Sequence, residues 1–241
     1  MIKIENIRFN YHDGRPALKD VSISIAKGEK VAVVGSNGAG KSTLLMHLNG
    51  LLTGSGSVQV DGLKVESRNM LTVRRRVGLL FQDPDDQLFC PTVAQDVAFG
   101  PMNLELSETE VKQTVRAALN EADLNGFEER SPHHLSYGEK KRVALAGVLA
   151  TQPSILALDE PTANLDPRSR RHLLEKLAKF EGTLLMATHD LEAVIELCPR
   201  TIVLKNGMVK NDGPTSQLLR DKKLMEDCGL EVPLSYRIQH P

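Results

Sequence analysis

The sequence predicts an α/β fold with a mainly parallel sheet at its core, an antiparallel β part at the N-terminal end and an inserted α-helical subdomain. Three observations carry this. Ile2 to Phe9 and Val21 to Ile25 alternate apolar with polar residues, as half-buried strands do, on either side of the turn-like His12-Asp13-Gly14-Arg15-Pro16. Short apolar runs at 30–34, 155–158, 183–187 and 202–204 are interleaved with helical spacing from Lys41 to Leu52 and a polar helix from about Pro167, the alternation that builds parallel sheets. Between the halves, the periodicity of Glu108 to Leu119 and Lys140 to Leu149 reads as helix.

These elements suggest one domain over 1–241, with 1–85 and 153–225 forming the core, 86–152 the helical subdomain and 226–241 a tail, irregular from Glu231 to Pro241. A hydrophobic share of 41% suits a chain with a sizeable core. Lys and Arg number 30 against 31 for Asp and Glu, so the balance of charge gives no reason to expect nucleic acid or anionic lipid as a partner. Three widely spaced cysteines, Cys90, Cys198 and Cys228, fit neither a disulfide framework nor metal knuckles and lead us to expect a reducing cytoplasm. The opening MIKIENIRFNY lacks a signal peptide's apolar core, and no stretch approaches the roughly 18 apolar residues of a membrane span. Any membrane crossing is expected of another chain.

The chemistry starts at Gly35-Ser36-Asn37-Gly38-Ala39-Gly40-Lys41-Ser42, which matches G-x-x-x-x-G-K-[ST] between an expected strand and an expected helix, with Thr43 following. Glycines let successive N–H groups converge on an anion, and the helix start adds its dipole. Lys41 offers a charge to the β and γ phosphates and Ser42 a hydroxyl to Mg²⁺, so a phosphate-bearing ligand with Mg²⁺ is expected on a core of P-loop NTPase (RecA-like) type. The apolar run 155–158 ends in Asp159-Glu160, at the strand end where ligands bind in open α/β sheets. Asp159 suits the Mg²⁺ shell, directly or through water, and Glu160 suits accepting a proton from, or orienting, the attacking water. Alone, an Asp-Glu pair is a solvated strand end; downstream of a phosphate loop it reads as a site.

Leu135-Ser136-Tyr137-Gly138-Glu139 resembles the LSGGQ signature of ABC transporter ATPases, with Tyr137 in place of glycine and Glu139 in place of glutamine. Ser136 and Gly138, the positions that meet the γ phosphate in that family, are intact. The other landmarks follow in family order: Tyr11 resembles the adenine-stacking aromatic, Gln82 the Q-loop glutamine, Ala163-Asn164-Leu165-Asp166 the D-loop and His189 the switch histidine. Singly they read as strand packing, a surface amide, a helix N-cap before Pro167 and a structural histidine. The resemblance implies an ATPase that closes head to tail with a second protomer, identical or merely similar. ATP would lie between one phosphate loop and the other chain's signature. Glu160 would polarise water, His189 would touch the γ phosphate, and Gln82 would reach the metal and link the site to the membrane partner.

Phe81-Gln82-Asp83-Pro84-Asp85-Asp86-Gln87-Leu88-Phe89 and Asp96-Val97-Ala98-Phe99-Gly100-Pro101 resemble the cobalt/nickel and energy-coupling-factor importers, as does the helix around Ala146-Gly147-Val148-Leu149-Ala150. That branch implies a peripheral place on the cytoplasmic side of the cell membrane. Its expected partners are a transmembrane coupling subunit and a substrate-binding membrane component. Other ABC transport classes stay open, as does, more remotely, a non-transport ABC ATPase. The interval between Ser42 and Leu135 shows no sustained heptads for a long coiled coil. A mere ATP-holding module would be expected to lack Glu160 or His189, and both are present.

Overall fold

The computed structural model describes residues 1–237. In chain order the strands and helices are β1 (Ile2–Asn10), β2 (Pro16–Ile25), β3 (Lys30–Val34), α1 (Lys41–Leu48), β4 (Ser55–Val60), β5 (Leu63–Lys64), α2 (Met70–Arg76), β6 (Val77–Leu80), α3 (Val93–Asn103), α4 (Glu108–Glu121), α5 (Tyr137–Ala150), β7 (Ile155–Asp159), α6 (Pro167–Lys179), β8 (Thr183–Ala187), α7 (Leu191–Leu197), β9 (Arg200–Lys205), β10 (Met208–Pro214), α8 (Thr215–Leu218), α9 (Lys222–Asp227) and α10 (Leu234–Arg237).

Two sheets result. A 4-stranded antiparallel sheet runs β2-β1-β4-β5, and a 6-stranded sheet runs β10-β9-β3-β8-β7-β6, parallel throughout except for β10. The central strands are apolar on both faces, and alternate residues go to opposite sides. Val31 and Val33 join Ile155, Ala157, Leu185 and Ala187 in a core shared with α1 and the antiparallel sheet. Ala32 and Val34 join Leu156, Leu158, Leu184 and Met186 in a second core with α3 to α7. Each fully buried valine or leucine contributes on the order of 1.5–3 kcal/mol, so the sheet is anchored from both sides.

The expected helix from Lys41 to Leu52 stops at Leu48, because Gly50 takes a left-handed φ of 69° and the chain turns toward β4. The C-terminal segment differs more from the irregular tail expected. Leu234–Arg237 is helical, Met225 and Cys228 are buried, and Leu230, Val232 and Tyr236 pack against the core. Its apolar residues are too few and too unevenly spaced to show a period, yet they cover the edge of the second core. The last part of the expected tail, 238–241, lies outside the described residues.

Candidate functional site

Four neighbouring parallel strands deliver the site. In spatial order β3, β8, β7 and β6 end in the phosphate loop, Thr188-His189, Asp159-Glu160 and Gln82 respectively. The site thus lies at the carboxyl edge of the sheet.

The phosphate loop wraps back on itself, with the Ala39 amide donating to the Ser36 carbonyl at 3.1 Å. Gly40 stands at φ 102°, and a Cβ there would come within 2.6 Å of the Ala17 carbonyl oxygen, so only glycine fits. Lys41 is buried at 7% exposure; its ammonium curls into the loop and donates to the carbonyls of Gly35 at 2.9 Å and Ser36 at 3.2 Å. Asn37 and Gly38 are exposed at the loop's crest. Tyr11, just beyond β1, is 40% exposed, stands edge-on to Phe9 with centroids 5.1 Å apart, and shares a hydrogen bond of 2.8 Å with the Thr43 hydroxyl. This brings Tyr11 to the start of α1, beside the phosphate loop.

Asp159 and Glu160 are each 5% exposed. Burial pushes the Asp159 carboxyl above its ordinary value, against the hydrogen bond with Ser42 and the nearby charges of Lys41 and Lys141. Its Oδ1 is buried with no hydrogen-bond partner. A buried carboxylate oxygen without a donor, beside a serine hydroxyl, suits a hard divalent cation with oxygen ligands. Mg²⁺ therefore fits the residues present.

Glu160 sits in the left-handed region at φ 43°, uncommon for a residue with a side chain. Its amide donates to Ala187 at 2.8 Å, prolonging the β7–β8 ladder past the end of the strand. Its Oε2 accepts from the Thr188 hydroxyl at 2.9 Å and the His189 amide at 3.2 Å, and lies 2.9 Å from His189 Nδ1. Thr188, fully buried, went unnoticed in the sequence; its only signal is a hydroxyl between an apolar strand and a histidine. The His189 side chain is mostly exposed and faces solvent above this cluster.

Gln82 is exposed, and its backbone carbonyl accepts from Tyr137 at 3.0 Å and from Lys141 at 2.6 Å. Lys141, only 2% exposed, was not singled out by sequence reasoning because the start of α5 reads as polar. Burial lowers its ammonium to about 8, opposed by Asp159, Asp83 and Glu160. Ser136 and Gly138 stand at the start of α5. Ser136 caps α5 in a capping box, donating to Glu139 Oε2 at 2.7 Å, and the Glu139 amide returns a long bond of 3.4 Å. Glutamate serves that box as well as glutamine does. These two residues make no bond to Lys41, Asp159 or Glu160 in the contacts of their own chain. Asp166 likewise is occupied as the N-cap of α6, accepting from Arg168 and Ser169 amides at 2.9 and 3.1 Å. A cavity of about 510 Å³ lies beyond Gly138 between α5 and α6, lined largely by apolar side chains such as Leu145, Leu173 and Phe180; it does not open on the phosphate loop.

The comparisons agree with this geometry. The ABC transporter family pattern matches residues 18–163. The energy-coupling factor transporter ATP-binding protein EcfA of Carboxydothermus hydrogenoformans is 46% identical over 98% of this chain and 89% of its own length. The structure of CbiO1 of Clostridium perfringens, part of the ABC transporter complex CbiONQ, superposes with a TM-score of 0.80 and 36% identity, covering 100% of this chain and 98% of that one. An ATP-binding cassette solved as a dimer in a post-hydrolysis state with ADP and phosphate gives 0.81 at 29% identity, covering 89% and 99%. With a family match over more than half its length and the strand-end loops that such a cassette requires, this chain belongs to the ATP-binding subunits of the ABC transporter family, which are ATPases.

Proposed function

We propose that this chain is the peripheral ATPase of a cobalt/nickel or energy-coupling-factor type importer, working on the cytoplasmic face as a dimer. Residues 1–85 and 153–225 would bind nucleotide, and 86–152 would carry the signature and the docking face. No helix of the described residues is long and apolar enough to cross a membrane, so a transmembrane subunit must supply the path.

The observation that carries the transport reading is an exposed apolar patch beside the Q-loop. Phe89, Phe99 and Met102 are 62%, 50% and 63% exposed, and the two rings pack edge to face 4.9 Å apart. Asp96 holds that bend by accepting from the Phe89 and Cys90 amides at 3.0 Å each. Aromatic side chains presented together on a surface are typical anchors for a partner. Phe89 belongs to the same Q-loop segment as Gln82, which would join the membrane subunit to the ATP site.

Within the site, the loop amides and Lys41 would neutralise the phosphates, Tyr11 would stack on adenine, and Ser42, Asp159 and Gln82 would hold Mg²⁺. Mg²⁺ held there would supply charge neutralisation to the phosphates. Glu160, oriented by Thr188 and the His189 amide, would accept hydrogen bonding from the attacking water, and His189 would contact the γ phosphate. Ser136, Gly138 and Asp166 would act across the dimer, since neither signature residue has a partner at its own phosphate loop. Positioning and charge are most of what phosphoryl transfer requires, so closing the dimer can switch it on.

Co-purification from the native cell tests the proposal. Recovery of an integral-membrane coupling subunit with a small substrate-binding membrane protein supports it, and Phe89→Ser with Phe99→Ser should lose both partners while the chain still folds. Recovery with ribosomes or DNA instead would leave the ATPase and remove the importer.

A further inference from the structure

Tyr137, which stands where the resembled signature has glycine, lies beside Asn164 of the D-loop. Tyr137 opens α5 but turns into its own chain, and its hydroxyl donates to the Gln82 carbonyl at 3.0 Å. Burial pushes the Tyr137 phenol up, and the neighbouring Asn164 side chain works against that rise. Asn164 is placed for this by a left-handed φ of 59° in the D-loop turn.

One turn further on, the buried Lys141 ammonium donates to the carbonyls of Phe81 at 3.1 Å and Gln82 at 2.6 Å. Lys140 pairs with Asp85 at 2.7 Å, so the Q-loop is tied to α5 at successive points. The Gln82 carbonyl therefore receives two donors, one of them charged. A carbonyl oxygen has two acceptor lobes, and filling both fixes the peptide plane. The Gln82 side chain itself is exposed and unconstrained by neighbours in the hydrogen bonds of its own chain. Its direction is then set by where the first turn of α5 stands.

We propose that Tyr137 and Lys141 are positioning residues for Gln82, making the reach of its side chain toward the metal and water depend on the signature helix, with Asn164 adding the D-loop to the same joint. The inference rests on the proposed role of Gln82. It explains why a tyrosine is useful where the family has glycine: it spans from the signature to two other site loops in the same chain. In a dimer whose signature serves the partner's ATP, that joint relays the fit of one site to the water geometry of the other.

The test compares the full chain with Gln82→Ala, Tyr137→Phe and the double variant, by ATPase kinetics, Mg²⁺ titration of the ATP-bound chain and amide exchange over 81–87 without nucleotide. Tyr137→Phe keeps the ring and removes only the hydroxyl. We expect it to lower kcat about three- to tenfold and weaken Mg²⁺ binding by a similar factor, the scale of one hydrogen bond. Exchange over 81–87 should quicken in both backgrounds, while the kinetic and Mg²⁺ effects disappear when Gln82 is already alanine. Equal losses in both backgrounds, or no loss in the wild-type background, overturn the proposal. If Gln82→Ala itself behaves as wild type, the role of Gln82 falls and takes the inference with it; an impaired Gln82→Ala beside a silent Tyr137→Phe sinks the inference alone. Asn164→Ala should follow Tyr137→Phe and add nothing to it.

Discussion

The phosphate-loop side of the molecule and the signature side are built to different degrees of completion within one chain. On the first, Lys41, Asp159, Glu160 and Thr188 are buried; Lys41 donates to carbonyls of its own loop and Thr188 to Glu160, while one oxygen of Asp159 is left without a donor. On the second, Ser136 is exposed, and its hydroxyl does nothing but cap its own helix. The contrast teaches that one half of the site is preorganised by the sheet, whereas the other half is only presented. On the proposed reading, the preorganised half would hold ATP and the presented half would act only against a second surface.

The largest way to break this comparison is Glu160→Gln. It keeps shape and burial but removes the carboxylate proposed to act on the water, and turnover should fall about 10²–10⁴-fold, the usual range for a positioned acid–base group. ATP binding and the closed dimer should persist, read by filter binding and size-exclusion chromatography with ATP. Undiminished turnover would remove Glu160 from the water.

Glycine substitutions separate the halves more finely. Gly40→Ala would drive a Cβ to 2.6 Å from the Ala17 carbonyl in a left-handed backbone, so it should destabilise the chain by about 1–3 kcal/mol and weaken ATP binding at least tenfold. Gly138→Ala meets nothing nearer than Ser169 Oγ at 3.7 Å and lies in a helix, where alanine is favoured by up to about 1 kcal/mol. It should melt no lower than wild type and bind ATP normally as a monomer, yet turn over more slowly once dimerised. Thermal melts with single-site binding and turnover assays distinguish the two; impaired ATP binding by monomeric Gly138→Ala would mean that the signature serves its own chain's nucleotide.

What was legible in the sequence follows the same division. The phosphate loop and the Asp159-Glu160 strand end are local: each lies within one strand-loop unit, so spacing alone exposes it. The fold class was readable because β1, β3, β7 and β8 show clear apolar patterns. The strands β4, β6 and β10 were not: β4 starts with exposed small residues and buries only Val58 and Val60, β6 has 4 residues, and β10 is mostly exposed and polar. Thr188 escaped notice because its bond is to a residue 28 positions away. Lys141 escaped because a lysine after Lys140 at a helix start looks solvated until the Q-loop carbonyls come to lie over it. Tyr137 appeared only as a departure from a pattern, and what it touches is a matter of tertiary folding.

The smallest expected effect tests whether the core half is held by closed networks, and Asp190 is the place to look. It caps α7 through the Ala193 amide at 3.0 Å and receives a two-pronged pair from Arg170 at 2.8 and 3.1 Å. Burial pushes its carboxyl up, but the bonds from Arg170, Ala193 and Thr162 outweigh this and hold it below the ordinary 3.8. A carboxylate so lowered binds fewer protons folded than unfolded, so its stabilisation is fully present above pH 3.8 and is lost as pH falls through the lower, folded value. Asp190→Asn can still cap the helix but gives up the charge, and should cost about 1–2 kcal/mol at neutral pH, the scale of a charge-assisted bond. The gap between variant and wild type, followed by denaturant unfolding from pH 7 downward, should hold steady to about pH 4 and then narrow. A gap that stayed constant into stronger acid would show that the Arg170 pair adds nothing beyond the cap.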